Sequence, residues 1–349
     1  MKKNYLKIVI SFLFIVLLTD LSKAQTFENG GAYMTYINNQ YRQLMEDYMS
    51  YTSAVAHGKT ARKIENRRKE LINSVTEVTK KISAMPPYSG DKSLRDSTVK
   101  FLKITHAILN EDYGKIVNME EVSEQSYDAM EAYYLAQDLA QLKLKNANDD
   151  LKLTEKNFVE KNKVNIIESG DELTDKLAVA SQVSKYHRVV YLIFFKSYKQ
   201  ELYLMEAIDK KNINSIEQNK NTLMKYSIEG VSKLDTMKAF NGDKSIITAC
   251  HQMLDFYKGE CKDNLAVLSN FIIKEEDFKK IKKAFDSKRE SDRTQADVDQ
   301  FNKAVNDYNK STNDFNNTNI QLATNRKKLI DNWNKTSQVF LDKHTPKYK

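Results

Sequence analysis

Residues 101–116 read Phe101-Leu102-Lys103-Ile104-Thr105-His106-Ala107-Ile108-Leu109-Asn110-Glu111-Asp112-Tyr113-Gly114-Lys115-Ile116. Phe101, Leu102, Thr105, Ile108, Leu109, Tyr113 and Ile116 recur at spacings of three and four, the period of one face of an α-helix. Just upstream lies Tyr88-Ser89-Gly90-Asp91, which the spacing predicts to be a turn. Asp91 is expected to be the N-cap, its carboxylate accepting from the free amides of the first turn. Further back, Ile64, Leu71, Ile72, Val75, Val78 and Ile82 mark a helix that stops at Met85-Pro86-Pro87. An earlier helix ends at Ala56-His57-Gly58, where Gly58 suits a left-handed cap.

This passage occurs twice. Laying 51–119 on 203–271 at a constant offset of 152 gives 14 identities in 69 positions, with apolar exchanges such as Ile82/Leu234 and Tyr88/Phe240 between them. The densest match pairs Gly90-Asp91-Lys92-Ser93 with Gly242-Asp243-Lys244-Ser245. The second copy stops its helix without proline, so the turn's glycine, not its prolines, is the shared requirement. A duplicated segment is the reading this offset supports.

In each copy a long helix follows whose apolar seam narrows to a seven-residue period. It runs through Leu144, Leu151 and Phe158 in the first copy, and through Phe301, Tyr308, Phe315, Leu322 and Leu329 in the second. A stripe this thin buries one edge, as in a coiled coil. Composition agrees with helices throughout: 9 Gly and 3 Pro in 349 residues leave little for hairpins or Gly-rich phosphate loops. The expected fold class is all-α, two tandem duplicated helical-bundle units with long coiled-coil-like arms. Its expected divisions are a signal peptide over 1–24, a first unit over 25–168, a second over 169–341, with Gly170-Asp171 starting a helix, and a frayed tail over 342–349.

The N-terminus has the order of a secretory signal: Lys2, Lys3 and Lys7, an apolar run from Ile8 to Leu18, and Ser22-Lys23-Ala24 as a small-residue cleavage site. The run is too short to span a bilayer, so cleavage after Ala24 and a periplasmic or cell-surface location are expected. Without it the balance is 51 basic to 46 acidic residues, only mildly basic. Val189–Phe195, the most apolar later run, is closed by Arg188 and Lys196 and reads as the centre of a buried helix; no transmembrane segment is expected in the mature chain. Cys250 and Cys261 stand about 16 Å apart on a continuous helix, too far for a disulfide, and read as small buried hydrophobes.

Chemistry-bearing patterns are sparse. The five histidines are scattered and none has another His three or four residues away; Glu-x-x-His bundle pairs, a zinc helix, a nucleophile elbow and a Walker loop are all missing from the sequence. No enzyme activity, metal or cofactor is expected. Two groups qualify as binding candidates: the basic run Lys279, Lys280, Lys282 and Lys283, which could face an anionic surface, and the stripe Tyr191, Phe195 and Tyr198, which could line a site for an apolar ligand. The paired turns Gly90-Asp91 and Gly242-Asp243 read as structural repeat turns. Nucleic acid is not an expected partner, because the charge is small and no recognition module occurs.

The Ala24/Gln25 signal, the Met-x-x-aromatic-x-Gly-Asp turn present twice, and the arm Phe301-Asn302-Lys303-Ala304-Val305-Asn306-Asp307-Tyr308-Asn309 give the chain a resemblance. It resembles a family of uncharacterised helical proteins predicted to lie at the surface or in the periplasm of Gram-negative bacteria. The resemblance implies a helical fold and an envelope location, and supplies no catalytic residues. The expected function is a non-enzymatic envelope module that binds another envelope protein or an anionic envelope surface. A periplasmic holdase-type chaperone and a binder of an apolar small molecule or lipid between helices are the alternatives.

Overall fold

The computed structural model describes residues 26–166 and 171–348; the expected signal over 1–24, with its cleavage site, and Gly170 lie outside them. Every regular element described is helical, and the only β-type pairings are two isolated bridges. The helices are α1 (Gly30–Ala56), α2 (Ala61–Ser83), α3 (Ser93–Ala107), α4 (Tyr113–Ser123), α5 (Tyr127–Asn162), α6 (Glu172–Asp209), α7 (Ile213–Thr236), α8 (Ser245–Gly259), α9 (Leu265–Asp286) and α10 (Gln295–His344). Five-residue π turns, Ile108–Asp112 and Glu260–Asn264, join α3 to α4 and α8 to α9. None of the described helices is long and apolar enough to cross a membrane.

Contacts divide the chain into two compact units. The first comprises residues up to Tyr51, Glu65–Lys115 and Ala136–Leu173; the second comprises Thr52–Ile64, Ile116–Leu135 and Thr174–Lys349. This differs from a single cut at 168/169, because the last turn of α1 is held inside the second unit. There His57 Nδ1 meets Asp342 at 2.7 Å, and Ser53 exchanges hydrogen bonds with the Tyr348 backbone. The same contacts correct the expected fraying of 342–349: α10 continues to His344 and Thr345 is buried.

Element spacing in the two units is the same. α2 and α7, α3 and α8, and the two π turns start 152 residues apart, and Thr60 and Asn212 accept from the third residue on at the starts of α2 and α7. At each π turn two successive residues turn inward, Ile108-Leu109 and Glu260-Cys261, because the wider turn shifts the buried face by one position. The spacing then grows to 182. Phe158 and Phe340 fill equivalent places, and Lys145 pairs with Asp149 as Lys327 does with Asp331. The difference, 30 residues, lies around the second hairpin: α9 has 22 residues where α4 has 11, and α10 has 50 where α5 has 36.

In that longer hairpin the chain doubles back, so that Phe271, Phe278 and Phe285 on α9 meet Phe315, Tyr308 and Phe301 on α10. The rings are 4.5 to 6.2 Å apart, and Phe278 lies nearly parallel to Tyr308. Both sets recur every seven residues. The predicted seam on α10 holds through Leu322 and then changes phase, because Trp333 and Phe340, in line with Arg326, become the buried residues. A capping box, Thr294 with Asp297, starts this helix.

Each core ends in a three-ring cluster. In the first unit Tyr33 stacks on Phe158 and touches Tyr88; in the second Tyr186 stacks on Phe340 and touches Phe240. The hydroxyls of Tyr33 and Tyr186 donate to the carbonyls of Pro86 and Lys238, themselves 152 residues apart. Tyr33, Phe158 and Phe340 are buried, and full burial of an aromatic side chain stabilises by roughly 1.5–3 kcal/mol, so these three rings are principal anchors of their units.

Candidate functional site

The paired turns are built alike. Ser89 and Gly90 have φ of 48° and 82°, Asn241 and Gly242 have 48° and 83°, and the flanking residues Tyr88/Asp91 and Phe240/Asp243 bridge each other. Two successive positive φ angles define a type I′ turn, which is why glycine is needed at the second position. Asp91 and Asp243 are not the N-caps; Lys92 and Lys244 occupy that position without a side-chain cap. Closure of the bridge holds each aspartate one residue outside the helix, and its Oδ1 still accepts from Ser93 or Ser245 N–H at 2.8 Å. Oδ2 takes the end of the long helix: Lys161 Nζ on Asp91, Lys343 Nζ and His344 Nε2 on Asp243. Lys161 is the first cause holding the Asp91 carboxyl at about 2, and Lys343 holds Asp243 well below the usual carboxylate range. Both turns are latches between elements of one unit.

Tyr191, Phe195 and Tyr198 are drawn together on α6. Tyr191 stacks on Phe195 at 5.6 Å, Phe195 touches Tyr198, and neighbouring Phe194 stacks on Trp333 at 4.3 Å. They are part of the packed core of the second unit. Two open recesses lie elsewhere. One, about 260 Å³, is lined by Asn39, Gln43, Ser74 and Lys81 among others; the second, about 210 Å³, is lined by Tyr203, Glu206, Lys210 and Asn219 among others.

The lysines of the basic run lie exposed on α9. Lys279 pairs with Glu275 and Lys282 with Asp286, so half of the run is neutralised within its own helix. Cys250 and Cys261 are buried free thiols; burial raises both, Cys261 to about 12, which leaves them unreactive. Among the described residues no three His, Cys, Asp or Glu side chains gather as a metal-ligating group.

Comparing equivalent positions of the units exposes two features that sequence reading missed. The first is outward. Leu139, Leu142 and Leu153 of α5 are 51%, 52% and 62% exposed, on the side of the helix away from its buried residues Ala140, Ala147, Leu151 and Phe158. At the equivalent places of α10, 182 residues on, stand Gln321, Thr324 and Lys335, all exposed. The second is inward. Glu201 and Glu260 are 0% and 1% exposed, and Arg326 bridges them, with Nε donating to Glu201 Oε1 and Nη2 donating to Glu260 Oε1 at 2.7 Å. Tyr257 is fully buried beside them. Along α1 and α6 the offset is 153, as the helix ends Ala56 and Asp209 and the rings Tyr33 and Tyr186 show, so the counterparts in the first unit are Tyr48 (for Glu201), Thr105 (for Tyr257), Ile108 (for Glu260) and Leu144 (for Arg326), a set with no charge.

Burial pushes both glutamates up; Glu260, raised further by the charge of Glu201 beside it, is pushed up to about 8. The signal for this cluster lies in the sequence, as Ile108 facing Glu260 at the offset of 152 and Leu144 facing Arg326 at 182. Comparison with protein-family models, with curated proteins and with solved structures gives no match to this chain.

Proposed function

We propose that the chain is a non-enzymatic helical binding module of the cell envelope, made by duplication of one helical unit, and that the leucine face of α5 is its contact surface. The duplication is supported by the shared spacing of helices, π turns, type I′ turns and three-ring clusters. The envelope location rests on the leader-like N-terminus and on the resemblance of the sequence.

The observation that carries the binding reading is the contrast between Leu139, Leu142 and Leu153 and their polar counterparts Gln321, Thr324 and Lys335. Both helices pack their inner edges in the same way, so the fold does not require leucine on the outer one. A half-exposed leucine forfeits on the order of 1 kcal/mol of burial, which a partner would recover. The partner is another envelope protein presenting an apolar face.

Photo-crosslinking tests this in cells. A crosslinking residue at Leu142 should capture a defined partner in the envelope fraction, and the same residue at Thr324 should not. Capture at neither position, or equally at both, overturns the assignment. Fractionation of the same cells places the protein, and recovery in the cytoplasm removes the envelope reading.

A further inference from the structure

The buried quartet of the second unit has no counterpart in the first and no role in the leucine face. Its charges do not balance: two carboxylates share one guanidinium, in a site where the glutamates have lost their water. α6 supplies Glu201 and Met205, whose sulfur Arg326 also reaches; α8 supplies Phe256, beneath the guanidinium, and Tyr257; the π turn supplies Glu260 and Cys261; α10 supplies Arg326. α7 supplies Lys220, but only its carbonyl faces inward, accepting from the Cys261 thiol, while its ammonium is bound to Glu217 at 2.6 Å. Among the described residues no second cation enters.

With both glutamates ionised the site would carry one uncompensated negative charge, and desolvation of such a charge costs several kcal/mol. A carboxylate pair in this position keeps a proton instead, as like charges sharing a site do. We propose that Glu201 and Glu260 hold one proton between them, that Arg326 then clasps α10 to α6 and the π turn as a neutral cluster, and that loss of this proton at alkaline pH loosens the clasp. The raised proton affinities described above agree with this arrangement. The first unit, with Tyr48, Ile108 and Leu144 in these places, is insensitive to it.

The chain carries its own reporter. Trp333, the single tryptophan, lies seven residues beyond Arg326 on α10, buried and stacked on Phe194. Titrating the full chain from about pH 6 to about pH 9, a full unit below the ordinary tyrosine and lysine values of about 10, should shift Trp333 emission to the red with the steepness of one proton. In Glu260→Gln, whose amide mimics the protonated acid, the shift should vanish. Because a core variant can fail to fold, infrared spectroscopy of the unmodified chain gives a second readout. A buried protonated carboxyl should absorb at neutral pH and bleach with the midpoint of the fluorescence change. Flat emission in the parent, the same shift in Glu260→Gln, or no carboxyl band at neutral pH each overturns the proposal.

Discussion

Replacing Arg326 by Met tests whether the second unit contains a dry ionic cluster. Both glutamates bridged by this guanidinium are sealed from water, at 0% and 1% exposure, and removing the one cation that enters the site among the described residues leaves their negative charge uncompensated. Breaking a buried pair in this way costs about 3–5 kcal/mol, a factor of roughly a thousand in the folded-to-unfolded ratio. The triple change Glu201→Met, Glu260→Ile and Arg326→Met, which gives the second unit the apolar character of the first, should recover that loss and add up to about 1–4 kcal/mol. Urea denaturation followed by circular dichroism measures both. The sign of the pH dependence provides an internal control. The folded chain holds protons on these glutamates above the ordinary carboxylate value of 4.5, so it binds more protons than the unfolded chain and gains stability as pH falls from 7 toward 5. The Arg326→Met penalty should therefore shrink on acidification, and the triple variant should lose this dependence. A single change costing under about 1 kcal/mol, or a triple change as damaging as the single one, refutes the description of the site.

Gly90→Ala and Gly242→Ala should each lower stability by roughly 1–2 kcal/mol in thermal melts, although no atom lies within 4 Å of the added Cβ, because the cost comes from positive φ. Lys343→Ala should raise the Asp243 carboxyl toward its ordinary value of 3.8, followed by carbon NMR. In the parent, the stabilisation from this latch is complete above that value and lost as pH falls through the depressed one. Exchanging residues 276–308 for the three-residue turn Glu124-Gln125-Ser126 removes the 30 extra residues of the second hairpin. The shortened chain should still unfold cooperatively, with Trp333 still buried; loss of the cooperative transition would show that the aromatic rungs beyond Phe271 are required by the core.

Much of the fold was legible because helices announce themselves by period. The three-and-four spacing from Phe101 to Ile116 gives α3 and its continuation, and Gly58, with φ of 57°, ends α1 where the sequence suggested. The π turns were not legible: a five-residue turn changes no composition, and the adjacent pair Ile108-Leu109 fits an ordinary helix as well. The capping aspartates were misplaced by one residue because a bridge-closing residue and a cap use the same side chain for the same amide. Docking of the tail depends on Ser53 meeting Tyr348, two residues with no shared periodicity. The site was legible only by subtraction. Glu201 lies in a run of Tyr191, Phe195, Tyr198 and Met205 where a single acid is easily passed over, until the uncharged Tyr48 is placed beside it.

That subtraction has a physical basis. Where both units carry the same kind of residue, as at Phe158 and Phe340 or at Lys161 and Lys343, the residue serves what both must do, which is to pack and latch. Departures confined to one unit are free of that demand, and two of them run against the usual partition of side chains in opposite senses. The first unit puts leucines on a water-facing edge that its counterpart fills with Gln321, Thr324 and Lys335. The second unit puts two carboxylates and a guanidinium into a core position that its counterpart fills with Tyr48, Ile108 and Leu144. Each arrangement is costlier than the alternative the other unit demonstrates on the same scaffold, the first in unburied apolar area and the second in desolvated charge. Stability alone would favour polar side chains outside and apolar ones inside in both units. Contact at the outer edge of α5 and proton binding around Arg326 are the requirements proposed for these two departures.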